Sequence, residues 1–185
     1  MDMQCYDEQG RQLAGKTVTY QEAFAQGILH GASHVWMWRQ TDTGPEVLLQ
    51  KRSNNKLTWP DCYDISAAGH IDPGEDPIAA ALREIQEEIG ITVPEADLHF
   101  MATDRRQIIA PSGAIENEVC FIYLVELAAN TDFVMQESEV AGLEWRLLED
   151  FERETVAEQS PQYVPHGSLY YAIVVRAIRQ RAEQK

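Results

Sequence analysis

Between Gly69 and Ile91 the chain commits to one local structure, a loop feeding a capped helix whose glutamates gather on one side. Gly69-His70-Ile71-Asp72-Pro73-Gly74-Glu75 has the composition of a loop. Asp76-Pro77 then starts a helix with an acidic N-cap and proline at the first helical position. The helix is expected to run to about Ile89 and stop at Gly90, because glycine enters the left-handed conformation without a steric cost. Ile78, Leu82, Ile85 and Ile89 fall on one face, while Glu84, Glu87 and Glu88 stand at i, i+3 and i+4 on another. Like charges at this spacing cost a helix roughly a few tenths of a kcal/mol, so three converging carboxylates call for a positive group. A divalent cation meets that need, and hard oxygen ligands suit Mg²⁺ or Mn²⁺ held against substrate phosphates. Arg83 stands beside the glutamates and reaches Glu87 at i+4 or bends toward Glu75, fixing the geometry by a charge-assisted hydrogen bond.

Around that helix the pattern is mixed. Residues 33–38 and 46–50 read as strands with a turn at Gly44-Pro45 between them. Leu98–Thr103, Glu118–Leu127 and residues 143–147 read as further strands, rich in β-branched and aromatic residues. Residues 1–28 read as an N-terminal extension packed on the core, with a hairpin tip at Asp7-Glu8-Gln9-Gly10. Leu169, Ile173, Val174, Ala177 and Ile178 recur at helical spacing with Arg176, Arg179 and Arg181 between them, giving a C-terminal amphipathic helix. The expected fold class is α/β, an α/β/α sandwich with a mixed β-sheet. With 185 residues, 44% hydrophobic, and no repeat or linker, one domain accounts for the chain: an extension over 1–28, a core over 29–160 and a helical end over 161–185.

Charge narrows the function. Asp and Glu number 30 against 15 Lys and Arg, a net charge of −15, and such a field repels a nucleic-acid backbone. A phosphate-bearing small molecule meets the same repulsion unless divalent cations stand between it and the carboxylates. Cys5, Cys62 and Cys120 are odd in number and lack zinc-ligand spacing, so they read as reduced thiols of a cytoplasmic protein. No apolar run approaches the roughly 18 residues that span a bilayer.

Gly69, five residues, Glu75, seven residues and then Arg83-Glu84-Ile85-Gln86-Glu87-Glu88-Ile89-Gly90-Ile91 resembles the Nudix box at every specified position. At average composition nine such positions coincide by chance on the order of once in ten million chains, and below about one in a million once glutamate enrichment is allowed for. The resemblance implies a Nudix-type fold and a metal-dependent hydrolase that splits a diphosphate linkage in a nucleoside diphosphate-linked or related small molecule. It implies that Glu84, Glu87 and Glu88 bind Mg²⁺ or Mn²⁺, helped by a backbone carbonyl at Ala68 or Gly69, with the general base unassigned among the carboxylates. It also admits a homodimer.

Leu48-Leu49-Gln50-Lys51-Arg52-Ser53 and Trp59-Pro60-Asp61-Cys62-Tyr63-Asp64-Ile65-Ser66-Ala67-Ala68-Gly69-His70 are similar to the Nudix branch that includes isopentenyl-diphosphate isomerases, a likeness of about 120 residues. Isomerases of that branch carry a cysteine just before the box, where Ala67 or Ala68 stands here, and Cys62 falls five or six residues early. Their second metal site is matched in part by His30, His70, Glu116 and Glu118, while the position of its first histidine falls near Ala23. In hydrolases of the family Glu118 or Glu116 adds a metal-binding carboxylate. Arg52, Arg105 and Arg106 are candidate phosphate contacts, His70 and Glu116 candidate substrate contacts, and Glu139 a candidate loop glutamate. His30, His34, Trp36, Trp38 and Trp145 are expected to be structural. The alternatives to a hydrolase are an isomerase, disfavoured by Ala67 and Ala68, and a non-catalytic binding module, disfavoured by the intact glutamates.

Overall fold

The computed structural model describes residues 2–184. In chain order the elements are β1 (Asp2–Tyr6), β2 (Gln12–Thr19), α1 (Tyr20–Gln26), β3 (His30–Thr41), β4 (Gly44–Arg52), β5 (Tyr63–Asp64), β6 (Ala67–His70), α2 (Pro77–Ile89), β7 (His99–Ile109), β8 (Ile115–Glu126), β9 (Val140–Leu147), α3 (Leu148–Glu152) and α4 (Ser168–Ala182).

Strand β3 organises the sheet. It pairs antiparallel with β6 through Ala32–Val35 and with β4 through Met37–Thr41, and its other edge runs parallel to β8 from His30 to Trp38. Strand β7 continues the sheet beyond β8, and β9 continues it beyond β4. Side chains on β3 alternate between two cores, as the period of a strand requires. Val35 and Met37 pack with Leu48, Ala81, Ile85 and Ile89 under α2, whereas Trp36 and Trp38 pack with Phe151 of α3 and Tyr171 and Val174 of α4. Both faces are therefore covered, which is why Val35-Trp36-Met37-Trp38 at the centre of β3 is continuously apolar and why the expected α/β/α sandwich forms.

Helix α2 follows its sequence signals closely. Asp76 caps it by accepting from the Ile78 N–H, Pro77 occupies the first position, and Gly90 ends it at φ 71°. The extension is more ordered than its polar sequence suggests. Asp7 accepts from the N–H groups of Gln9 and Arg11 to close the β1–β2 hairpin, and Thr19 and Glu22 form a reciprocal capping box that starts α1. Strand β1 then meets β3 at Cys5 and His30, which brings α1 over the end of the sheet.

Two expectations are corrected. The β3–β4 turn lies at Asp42-Thr43, and Gly44 and Pro45 already belong to β4, paired with Thr41 and Gln40. Helix α4 starts at Ser168 and buries a rotated face: Tyr170, Tyr171, Val174, Val175 and Ile178 are inside, while Leu169 is 82% exposed. The tyrosines bury more area than leucine and also place their hydroxyls, Tyr171 donating to the Val164 carbonyl and Tyr170 accepting from Trp36 Nε1. Among the described residues no helix is long and apolar enough to cross a membrane.

Ser66, fully buried between β5 and β6, donates to the Leu48 carbonyl at 2.6 Å and accepts from the Met37 N–H at 2.8 Å. Ser66→Ala removes both partners from buried backbone groups and is expected to cost roughly 2 kcal/mol or more. Urea unfolding checks this, and a loss below about 0.5 kcal/mol would show that the backbone finds other partners.

Candidate metal centre and cavity

The loop and helix are tied together by one guanidinium. Arg83 donates through Nε and Nη2 to the two oxygens of Glu75 at 3.0 and 2.9 Å, and through Nη2 to the His70 carbonyl at 2.9 Å. Its Nη1 donates to Glu84 at 2.6 Å and to Glu87 at 3.3 Å. Both expected reaches, toward Glu87 and toward Glu75, are thus realised at once. Burial works to raise the Glu75 carboxyl, but the Arg83 fork and the Asp72 N–H outweigh it and hold Glu75 below its ordinary value.

The three helix glutamates do not share one environment. Glu84 and Glu88 are buried, whereas the Glu87 side chain is 54% exposed. Burial raises Glu84 against the pull of Arg83, and burial together with the neighbouring Glu84 pushes Glu88 up to about 8. Glu88 Oε2 is positioned from the sheet, accepting from Gln50 Nε2 and the Ala68 N–H, each at 2.9 Å. Gly69 gives Glu84 its place, because a Cβ at residue 69 would stand 2.0 Å from the Glu84 carboxyl carbon. Two buried carboxylates, Glu84 packed onto a strand position that admits no side chain and Glu88 held by the Ala68 N–H beside it, offer only oxygen donors and fit Mg²⁺ or Mn²⁺.

Gly69, Glu84 and Glu87 open onto a cavity of about 560 Å³, a size typical of small-molecule sites. His70, Glu116, Glu118, Arg52, Arg106 and Glu139 also line it. The sequence-derived residues fare unequally there. Glu116 and Glu118 face the same side of β8 as expected, but both are engaged by Arg106, at 3.0 Å from Nη2 and 3.3 Å from Nε. The other oxygen of Glu118 lies 3.7 Å from His30 Nε2 and 3.5 Å from His70 Nε2. Burial alone would raise Glu118, yet the buried Arg106 charge and the two histidines hold it well below the usual carboxylate range.

The close groups of metal-type donors among the described residues are His30, His70 and Glu118, and His34, Glu118 and Cys120; neither contains a glutamate of the helix. A second metal at the first group must compete with Arg106 for Glu118, and Ala23 is buried in an apolar cluster, so the isomerase-type donor set is incomplete.

Other candidates separate. Arg52 bonds Asp64 and the Thr58 carbonyl, which commits its guanidinium to the cavity wall. Arg105 pairs with the exposed Glu8, outside the cavity. Glu139 pairs with Lys56 among the cavity residues. Cys62, on a strand-like stretch of sequence where a small buried residue is expected, is only partly buried, because it stands in irregular backbone between a turn and β5. Trp36 and Trp38 are fully buried, and Trp145 carries the Arg39 guanidinium on its ring at 4.1 Å.

Sequence reasoning missed Asp64 and His166, paired at 2.7 Å, and Tyr170, whose hydroxyl is 2.8 Å from His34 Nδ1. No periodicity singles out these residues, and tertiary contact brings Asp64 and His166 to the cavity while Tyr170 bonds His34 in its wall.

With its loop, capped helix and buried glutamates, the chain belongs to the Nudix family, whose domain model matches residues 29–167. It is 32% identical over 167 residues to Nudix hydrolase 3 of Arabidopsis thaliana, covering 88% of this chain and only 21% of that protein's length. It is also 32% identical over 170 residues to an isopentenyl-diphosphate Delta-isomerase of Aliivibrio fischeri, covering 91% of this chain and 92% of the other. Among solved structures DR0079 of Deinococcus radiodurans superposes with a TM-score of 0.68, covering 96% of this chain and 99% of that one at 18% identity, a likeness of fold.

The contact at Gly69 yields a test. Gly69→Ala is expected to push the Glu84 carboxylate aside and weaken Mn²⁺ binding by about tenfold or more, with the fold retained, because residue 69 lies in ordinary strand conformation. Electron paramagnetic resonance titration of Mn²⁺ measures this, and an unchanged dissociation constant would remove Glu84 from the metal centre.

Proposed function

We propose that this protein is a Nudix hydrolase that uses Mg²⁺ or Mn²⁺ to cleave a diphosphate linkage in a nucleoside diphosphate-linked or related small molecule. The observation that carries the reading is the burial of Glu84 against Gly69 and of Glu88 against Gln50 and the Ala68 N–H, with Glu87 at the cavity wall.

Glu84, Glu87 and Glu88 would hold the metal, with the carbonyl of Ala68 or Gly69 as a further donor. When bound, the metal supplies neutralisation of phosphoryl oxygens and a more acidic attacking water. The chain's own residues provide orientation. Arg83 fixes Glu84 and Glu87 relative to the loop, and Gln50 with the Ala68 N–H fixes Glu88, so little reorganisation remains when charge builds on the phosphoryl group. The general base stays unassigned among the carboxylates.

The isomerase reading lacks its thiol. Ala67 or Ala68 stands where that branch carries cysteine, and of these Ala68 lines the cavity, while Cys62 is not among the cavity residues. A binding module without turnover leaves the buried glutamates without a purpose, since two adjacent buried carboxylates are costly unless a cation joins them. We read the chain as one Nudix domain with 1–28 as an extension, acting in the cytoplasm, which the three free cysteines support.

Cleavage of nucleoside diphosphates, nucleotide sugars, dinucleotides and prenyl diphosphates with Mg²⁺ or Mn²⁺, read by anion-exchange chromatography as the phosphomonoesters or phosphate formed when the P–O–P linkage splits, tests the proposal. Turnover of at least one compound is expected, falling on the order of a hundredfold or more in Glu87→Gln/Glu88→Gln with the circular dichroism spectrum preserved. A double variant as active as the parent would falsify the metal assignment. Allylic proton exchange in isopentenyl diphosphate without phosphate release would establish the isomerase instead.

A further inference from the structure

The part of the cavity wall built from β3, β7 and the segment before α4 contains polar atoms that the fold has buried and left unused. Arg106 has a side chain only 9% exposed, donates Nη2 to Glu116, holds Nε in an ion pair 3.3 Å from Glu118 without a hydrogen bond, and keeps Nη1 buried with no hydrogen-bond partner among the described residues. His166, with a side chain 2% exposed, gives Nε2 to Asp64, and its Nδ1 is likewise buried and unpartnered. His34 links the two groups: its ring centroid lies 5.8 Å from that of His166, and it shares a close donor cluster with Glu118, the partner of Arg106. Arg106, His34 and His166 all line the cavity. Trp59, another wall residue, adds a buried indole N–H without a partner. Native structures rarely leave such atoms unpaired unless a ligand or solvent completes them.

The charges decide what kind of ligand suits them. Arg106 faces the carboxyls of Glu116 and Glu118, while Asp64 is answered by Arg52 with His166 bonded beside it. Neither group offers excess positive charge to an anion, so a phosphate there meets carboxylates without a free cation. A hydrocarbon tail would cover a guanidinium N–H and an imidazole nitrogen and satisfy neither, which costs affinity. A hydroxyl suits both, because it accepts from Arg106 Nη1–H and can donate to or accept from His166 Nδ1, whichever state that nitrogen is in.

We propose that Arg106 and His166 form a subsite for a neutral, hydroxyl-bearing group of the sugar kind, carried by the substrate beyond its diphosphate. This deepens the hydrolase reading, on which it rests for the placement of the diphosphate at the helix glutamates. Both residues act as binding groups that select the substrate, remote from the bond that breaks.

Binding of ADP-ribose and of isopentenyl diphosphate, each with Mg²⁺, separates the possibilities when followed by stopped-flow tryptophan fluorescence, which reads association before turnover. The parent protein is expected to bind ADP-ribose about tenfold or more tightly than isopentenyl diphosphate. His166→Phe should abolish that preference while isopentenyl diphosphate binding stays within about twofold. His166→Asn, which keeps a donor for Asp64 and an acceptor for the ligand, should retain most of the preference. Arg106→Lys, which keeps a charge beside Glu116 and Glu118 but removes Nη1, should lose it. Thermal melting identifies a variant that has unfolded, and the remaining variants then decide. Equal affinities, a preference for isopentenyl diphosphate, binding of neither probe, or a preference untouched by folded variants each overturn the subsite. Failure of the hydrolase is a different result: an intact, His166-dependent preference with no cleavage of ADP-ribose to phosphomonoesters leaves the subsite and removes the chemistry.

Discussion

The buried approach of α2 to β6 is the contact on which the rest of the site depends. A helix carrying carboxylates inward is normally excluded from a core, because ionised groups lose hydration that packing does not replace. Here the approach is possible because Gly69 has no side chain at the point where Glu84 descends, and because Gln50 and the Ala68 N–H meet Glu88 from the sheet. The aliphatic face of the same helix, Ala81, Ile85 and Ile89, supplies the apolar burial that holds the carboxylates in place. Arg83 then locks the loop to the helix, so that the chain entering α2 and the glutamates within it move as one unit. Stability and site geometry are joined in a single interface.

Electrostatics divide the cavity into two ends. At the helix end acidic groups outnumber their internal partners, and Arg83 alone answers Glu75, Glu84 and Glu87. At the other end each carboxylate has been answered from within: Glu116 and Glu118 by Arg106, Asp64 by Arg52 and His166. Carboxylates are therefore left short of internal partners at one end and are paired at the other. The difference follows from Arg106, whose place on β7 opposite Glu118 on β8 puts a fixed charge between two carboxylates. His34 nearby is depressed to about 4 by burial and the Arg106 charge, so it contributes a neutral ring rather than further charge at physiological pH.

Local signals were reliable where a single element carries them. Helix α2 formed with the expected Asp76 cap, Pro77 start and Gly90 stop because each acts through its own backbone within one turn. The strands were located but shortened, since β7 extends to Ile109 and β8 begins at Ile115, and their outer residues, with charged and polar types, become strand only by pairing with each other. The turn at Asp42-Thr43 was displaced to Gly44-Pro45 by trusting a Gly-Pro signal that the sheet overrode. Helix α4 was recognised by its period, but its buried face was decided by the room beneath Trp36 and Phe151, which tyrosines fill.

The sequence by itself determined the glutamate-bearing helix, the chemistry its oxygen donors favour, the family to which the chain belongs and the two-faced sheet implied by its mixed pattern. Those features are set by spacing along one helix or one strand, and a linear chain records such spacing directly. Only the tertiary structure decided that Glu87 is exposed while Glu84 and Glu88 are buried, that Arg106 pairs with Glu116 and Glu118, and that His166 meets Asp64 across 102 positions of sequence. Contacts of that kind join residues whose separation carries no periodic trace, so their existence depends on how the sheet, the extension and the C-terminal segment close around one cavity.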